Sequence, residues 1–197
     1  MENLAELYRI NAANLRLRQQ FMLFSAEDVR VLKDLRGWAE QVAAPLAKEF
    51  YEHQFSFAPT RAFFTTYAAK KGVPLEQLRA GLERTQAQYF RDIFEEAAAS
   101  GEFGPAYFEK RLRVGRLHNR IDLPLKWYVG SYALYQKLVH KYLSRAYFWN
   151  PGFRFRAQLA ITAVFNYDMQ AIAEAFFNDV VQSFGIDLSA VRVSNEA

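Results

Sequence analysis

Apolar residues recur along the chain at three- and four-residue intervals, and no stretch alternates apolar with polar residues for the length of a strand, so the pattern predicts helices throughout. Over residues 3–20, leucines at 4, 7, 15 and 17 stand among polar and charged neighbours and predict a short amphipathic amino-terminal helix. Ser25-Ala26-Glu27-Asp28 then has the form of a capping box: Ser25 can accept a backbone N–H, and Asp28 suits the positive end of the helix that follows. Val29, Leu32 and Leu35 form the apolar stripe of that helix. A second run, over residues 38 to about 55, sets Val42, Leu46 and Phe50 at helical spacing.

Ala58-Pro59-Thr60 marks a break before Phe63, Phe64 and Tyr67, and Lys71-Gly72-Val73-Pro74 marks another. Pro74 suits the first turn of the next helix, whose stripe of Leu75, Leu78, Leu82, Tyr89 and Ile93 runs to an exit at residues 97–101. Gly104-Pro105 opens a helix to about Arg120. Asp122-Leu123-Pro124 ends it and starts another to about Tyr147, and Asn150-Pro151-Gly152 turns the chain into a last helix over residues 155–184. Seven or eight helices with short joints and no internal repeat predict an all-α domain whose two long last helices form an antiparallel hairpin. Residues 186–197 turn polar and read as a linker or tail.

Composition narrows the chemistry. A chain of 197 residues suits one domain, and 51% hydrophobic with 16% aromatic residues predicts a folded globule. The absence of cysteine excludes disulfides, thiolate metal sites, iron–sulfur clusters and covalently attached haem, leaving histidine and carboxylates as metal ligands. The amino-terminal segment lacks the apolar core and cleavage site of a signal peptide, and no stretch approaches the roughly 18 apolar residues of a membrane span. A cytoplasmic protein without a membrane partner is expected. The net charge of +4 and pI near 9.3 permit an anionic partner and demand none.

The common catalytic and nucleotide-binding signatures are largely missing. Glu95-Glu96 points to two helix faces and reads as solvated. In the basic run Lys110, Arg111, Arg113, Arg116 and Arg120, residues 113, 116 and 120 share one face; such a stripe is either solvated or meets cofactor carboxylates or nucleic-acid phosphates. His118 lies on the same helix with Val114 one turn earlier, and can face the interior. There it is either a hydrogen-bonded core residue or a ligand.

The segment Arg113-x-x-Arg116-x-His118-x-Arg120-Ile121-x-Leu123-Pro124-x-x-Trp127-Tyr128-x-Gly130-x-Tyr132 resembles the proximal-histidine segment of bacterial globin-coupled sensors, relatives of the protoglobins. Ala47-Lys48-Glu49-Phe50-Tyr51 resembles the helix that supplies that family's distal tyrosine. The resemblance spans residues 1–185. It implies a globin-like fold with an extra amino-terminal helix (residues 1–24) and two long last helices forming a dimer interface. It also implies a b-type haem whose iron is held by His118, with Tyr128 as the hydrogen-bond partner of the other imidazole nitrogen. Tyr51 would stand on the opposite face and donate a hydrogen bond to dioxygen. Leu78, Gly81 and Leu82 would form an apolar lid, Gly81 standing where some relatives carry a ligand-bonding threonine. Phe63, Phe64, Tyr67, Val114, Leu117 and Trp127 would be pocket walls. His53, about 200° round the helix from Tyr51, and His140 are the remaining candidates for a further iron ligand.

In function, the resemblance implies an O2 sensor, able to take CO and NO as well. It would signal through Val180, Phe176, Phe177, Ile172 and Phe165 of a homodimer face to an output domain such as a diguanylate cyclase, histidine kinase or chemotaxis transducer. Two rival readings stand beside it: a stand-alone protoglobin-like globin that uses the same residues to bind or turn over O2 or NO, and a haem-free helical regulator that instead meets nucleic acid through the Arg113 face.

Overall fold

The amino-terminal stretch predicted as one helix folds as two, α1 (Leu4–Leu7) and α2 (Ala12–Phe21), in the computed structural model, which describes residues 3–186. Two asparagines explain the break. Asn3 accepts the Glu6 N–H at 3.3 Å and Asn11 accepts the Asn14 N–H at 2.9 Å, so each starts its own helix. Between them Arg9 takes a left-handed backbone, with φ of 57°.

The remaining helices follow the predicted punctuation: α3 (Ala26–Asp34), α4 (Arg36–Ser56), α5 (Ala58–Lys71), α6 (Leu75–Ala99), α7 (Pro105–Arg120), α8 (Leu125–Ala146) and α9 (Pro151–Ser183). The Ser25–Asp28 box is formed in both directions: Asp28 N–H donates to Ser25 Oγ at 3.3 Å and Ser25 N–H to Asp28 Oδ2 at 2.8 Å. Gly72, at φ 64°, ends α5 in the left-handed conformation that glycine adopts without a Cβ clash. Asn150 caps α9 by accepting the Phe153 N–H at 3.0 Å, and Pro151 occupies the first turn, where its missing donor costs nothing.

Two pairings dominate the packing, α4 on α6 and α7 on α9, while α3 bridges α6 and α9, and α8 packs on both α9 and α4. The predicted α8–α9 hairpin is present, yet α9 spends more of its surface on α7. On α4, Ala39, Ala43 and Ala47 fall one per turn and are fully buried, as close helix packing requires. The α7–α9 contact is closer still. A Cβ built on Gly115 would meet the Cβ of Ala175 at 2.8 Å and the Cα of Ile172 at 3.0 Å, so at this point the α7 backbone lies directly on α9.

α1 is tied to α7 as well. Glu109 accepts the backbone N–H groups of Leu4 at 3.2 Å and Ala5 at 2.8 Å, and pairs with Arg113 at 2.6 Å. A carboxylate thus fills two of the donors left open by the first turn of α1.

The expected dimer face is only partly exposed. Phe165 and Ile172 are buried in the core of this one chain, whereas Phe177 and Val180 face outward. No helix among the described residues is long and apolar enough to cross a membrane. Apart from Ile186, the tail at 186–197 lies outside the described residues.

Candidate functional site

His118 lies in the last turn of α7, and its Nδ1 is 2.7 Å from the Val114 carbonyl. A carbonyl oxygen can only accept, so Nδ1 carries the proton and donates it; Nε2 keeps its lone pair. That nitrogen has no hydrogen-bond partner among the described residues, and the ring lines a cavity. Burial holds the imidazole pKa below its ordinary value, opposed by the bond to Val114, so His118 is a neutral base near pH 7.

The cavity is bounded by five helices and the turn after α7, with Phe165 of α9 behind it, and has a volume of about 120 Å³. From α4 come Phe50, Tyr51 and Gln54; from α5, Thr60, Phe63, Phe64 and Tyr67; from α6, Leu82, Gln86 and Tyr89. Val114 joins His118 from α7, and Trp127, Tyr128, Ser131, Tyr132 and Tyr135 from α8 complete the wall. The Tyr51 hydroxyl makes no hydrogen bond with a described residue. Its ring is fixed by edge contacts with Phe50 at 5.1 Å and Phe64 at 6.1 Å. Burial pushes the Tyr51 phenol pKa well up, so it stays a donor at any physiological pH.

Of the residues expected around the site, His118, Tyr51, Leu82, Phe63, Phe64, Tyr67, Val114, Trp127 and Tyr128 line one cavity. Leu78 and Gly81 do not. The stripe of α6 that faces the cavity is Leu82, Gln86 and Tyr89; Leu78 packs one turn before the rim, and Gly81 lies about 100° round the helix from Leu82. Leu117, 54% exposed, faces solvent because the ring of its neighbour His118 takes the inward direction. Tyr128 touches His118, ring centroids 4.7 Å apart, but by its edge. Its hydroxyl points to Tyr132 at 3.3 Å, and the Nδ1 partner is the Val114 carbonyl instead. His53 and His140 are both exposed and away from the cavity.

Sequence reasoning missed the polar cluster behind the cavity. Asp168 of α9 accepts from the Tyr107 hydroxyl at 2.9 Å, the Tyr89 hydroxyl at 2.8 Å and Arg111 Nε at 3.1 Å. Arg111 also donates to the Tyr89 carbonyl at 3.3 Å, and its guanidinium lies between the Tyr89 and Tyr107 rings, 3.9 and 4.3 Å from their centroids. Burial pushes the Asp168 carboxyl pKa up and Arg111 opposes it; with three donors on its two oxygens the carboxylate is well satisfied. The Tyr89 hydroxyl is also 3.3 Å from that of Tyr132, so contacts run from His118 through Tyr128, Tyr132 and Tyr89 to Asp168 on α9. One signal was available: Asp168 is the one charged residue between Arg156 and Glu174. Arg111, read as part of the basic run, is buried and off its stripe. Arg113 and Arg116 are paired with Glu109 and Asp179.

An all-helical domain with a single histidine facing an aromatic cavity across from a buried tyrosine has the architecture of a globin. The Protoglobin family model matches residues 11–181, and the chain belongs to that family. Over 132 residues it is 26% identical to the heme-based aerotactic transducer HemAT of Halobacterium salinarum, a match covering 67% of this chain and 24% of that protein. The chain therefore spans about a quarter of that relative's length. Its fold resembles the globin domain of a Geobacter sulfurreducens globin-coupled sensor, with a TM-score of 0.67 at 19% identity, covering 82% of this chain and 96% of that one.

Membership of a globin family implies haem, and the residues present fit it. The imidazole offers a free Nε2, the walls are aromatic, and the Tyr51 hydroxyl is unpartnered. Among the described residues no three His, Asp or Glu side chains cluster to hold a bare metal ion. Phe63, Tyr67 and Trp127 are half-buried where they line the cavity.

Proposed function

We propose that this chain is a haem-based gas-sensing domain, not itself an enzyme, which holds a b-type haem through His118 and takes O2 as its signal. The observation that carries the reading is the pairing of an unpartnered, neutral Nε2 on His118 with the unpartnered Tyr51 hydroxyl in one aromatic cavity. Haem, when bound, supplies an iron that takes a diatomic gas. His118 Nε2 would hold that iron, while the Nδ1–H bond to Val114 fixes the ring plane and the tautomer. Tyr51 would donate a hydrogen bond to a polar ligand such as O2 and do less for CO, which is less polar; NO is a further candidate.

The signal would leave through α7. That helix carries His118, rests on α9 at Gly115, and shares Asp168 with α6 and α9 through Arg111. On α9, Leu159, Asn166, Ala173 and Val180 recur every seven residues and all face outward, the spacing of a coiled-coil seam. A second copy pairing along this seam, with α8 beside it, would pass a shift of α9 to an output domain such as a diguanylate cyclase, histidine kinase or chemotaxis transducer. Asn166, polar within the seam, would set its register.

The test is the visible absorption spectrum of the purified chain supplied with haem, in ferric, ferrous and gas-treated forms, alongside His118→Ala and Tyr51→Phe. The expected outcome is a Soret band that moves with O2 and CO, is lost or altered in His118→Ala, and shows faster O2 loss in Tyr51→Phe. A protein that takes up no haem would end the reading.

A further inference from the structure

Between Asp122 and Asp168 the sequence holds no acidic residue, while Lys126, Lys137, Lys141, Arg145, Arg154 and Arg156 all fall there. That span is α8, the joint after it and the first half of α9. Lys141 is paired with Glu49 of α4. Arg145, in the last turn of α8, and Arg154 and Arg156, near the start of α9, have no ion pair among the described residues. Helix stability does not account for the last two, since positive charge near the amino-terminal end of a helix works against its dipole. Arg156 folds back toward the joint: its Nη1 lies 3.8 Å from where a Cβ on Gly152 would stand.

The joint itself is aromatic. Tyr147 and Phe153 pack against each other, ring centroids 4.9 Å apart, and Asn150 caps α9 between them. Phe148 and Trp149 are left outside this packing, 74% and 66% exposed, and Phe155 in the second turn of α9 is 65% exposed. Phe155 stands one turn before Leu159 and borders the seam of α9 proposed above. Phe148 and Trp149 lie in the joint, beyond the end of that seam. Three large apolar side chains open to water at one tip of a hairpin, with three arginines among them, mark a contact surface. One acid, Asp34 at the end of α3, joins burial in raising the Tyr147 phenol pKa, and a single carboxylate leaves the tip positive.

We propose that this tip docks on a membrane surface rich in anionic phospholipid, with Phe148 and Trp149 entering the headgroup layer and Arg145, Arg154 and Arg156 meeting lipid phosphates. Arginine gains from the negative potential of such a surface, and tryptophan suits the interface because its ring is apolar and carries one N–H donor. The expectation of no membrane partner rested on the lack of a span, which surface docking does not need. Single-stranded nucleic acid also meets arginines and aromatic rings, but its binders set them along a groove that tracks the strand. Here the rings stand free at the end of a hairpin. The inference does not rest on haem or gas binding.

The test is co-sedimentation of the purified chain, before and after haem loading, with vesicles of phosphatidylcholine alone or with about 30% phosphatidylglycerol. The expected result is binding to the anionic vesicles only, weakened by added salt. Arg154→Gln with Arg156→Gln should weaken binding about 25-fold, at about fivefold per charge. Phe148→Ser with Trp149→Ser should weaken it about tenfold or more. None of these four positions is buried, so circular dichroism should show both variants folded. The proposal is overturned if the anionic vesicles do not sediment the chain, or if the serine variant binds them as well as the unaltered chain does. It is overturned too if a single-stranded oligonucleotide binds through the same four residues and vesicles do not compete with it. A serine variant that is monomeric where the unaltered chain is dimeric would also overturn it, because a second copy would then cover the tip.

Discussion

Arg111 and Asp168 face each other across the α7–α9 contact at 3.1 Å, with 1% and 0% of their side chains exposed. A buried pair of this kind adds little by its charge alone. Breaking it is another matter, because Asp168→Ala would leave the buried guanidinium only Asp92, 3.6 Å away, as a counter-charge and take the carboxylate acceptor from the Tyr89 and Tyr107 hydroxyls. The expected loss is about 3–5 kcal/mol in urea unfolding. Arg111→Met combined with Asp168→Leu is expected to cost much less than the sum of the single changes. Additive costs would show that the two do not act as a unit.

Gly115 and Gly130 make a matched pair of tests. Both sit inside helices, where alanine is ordinarily worth about 0.5–1 kcal/mol over glycine. A Cβ at Gly130 meets nothing within 4 Å, so Gly130→Ala should stabilise by that amount. Gly115→Ala should destabilise instead, by about 1–3 kcal/mol, because its Cβ would meet α9 at 2.8 Å. Chemical denaturation of the two variants checks the sign; a stabilised Gly115→Ala would mean that α7 and α9 are less closely apposed.

Alkali should unfold the protein cooperatively. Tyr51, Tyr89, Tyr128, Tyr132 and Tyr135 all have pKa values raised by burial above the ordinary 10.0. A raised folded-state pKa contributes stability that is intact below pH 10 and is lost as pH climbs beyond it, since the unfolded chain releases those protons first. Each such tyrosine adds a slope of about 1.4 kcal/mol per pH unit. Tyrosinate absorbance near 295 nm and loss of helical circular dichroism are expected to rise together above pH 10. Ionisation of all the tyrosines well before helix loss would contradict their burial.

On the seam of α9 proposed above as a pairing face, Leu159→Glu with Val180→Glu is expected to leave a monomer in sedimentation equilibrium where the unaltered chain gives a dimer. Both sites are exposed, at 51% and 47%, so the monomer should keep its helicity and most of its stability. Buried Phe165 and Ile172 are the contrast: glutamate there should unfold the chain rather than dissociate it.

Helix boundaries were legible because Ser25, Gly72, Pro105 and Asn150 each perform a local task that a few neighbouring residues declare. The split of the first helix was legible in the same way, from Asn3 and Asn11, and was passed over because the leucine spacing ran through it. His118 and the aromatic walls were found through the motif around them. What the motif could not give was the register of α6, where Gln86 and Tyr89, not Leu78 and Gly81, reach the cavity: that depends on how α6 rolls against α4, a tertiary matter. Arg111 was hidden for the opposite reason. Its basic neighbours made it look like part of a basic run, and only its partner 57 residues away, Asp168, shows that it is core.

Glu109 gives the chain one more property. Because its carboxylate clasps the backbone of Leu4 and Ala5, α1 is moored to the helix that carries His118, nine residues before that histidine. α1 is thus a mechanical handle on α7: a force applied to it would load α7 directly, and a fluorophore beside Leu4 would report α7's movement without touching the cavity.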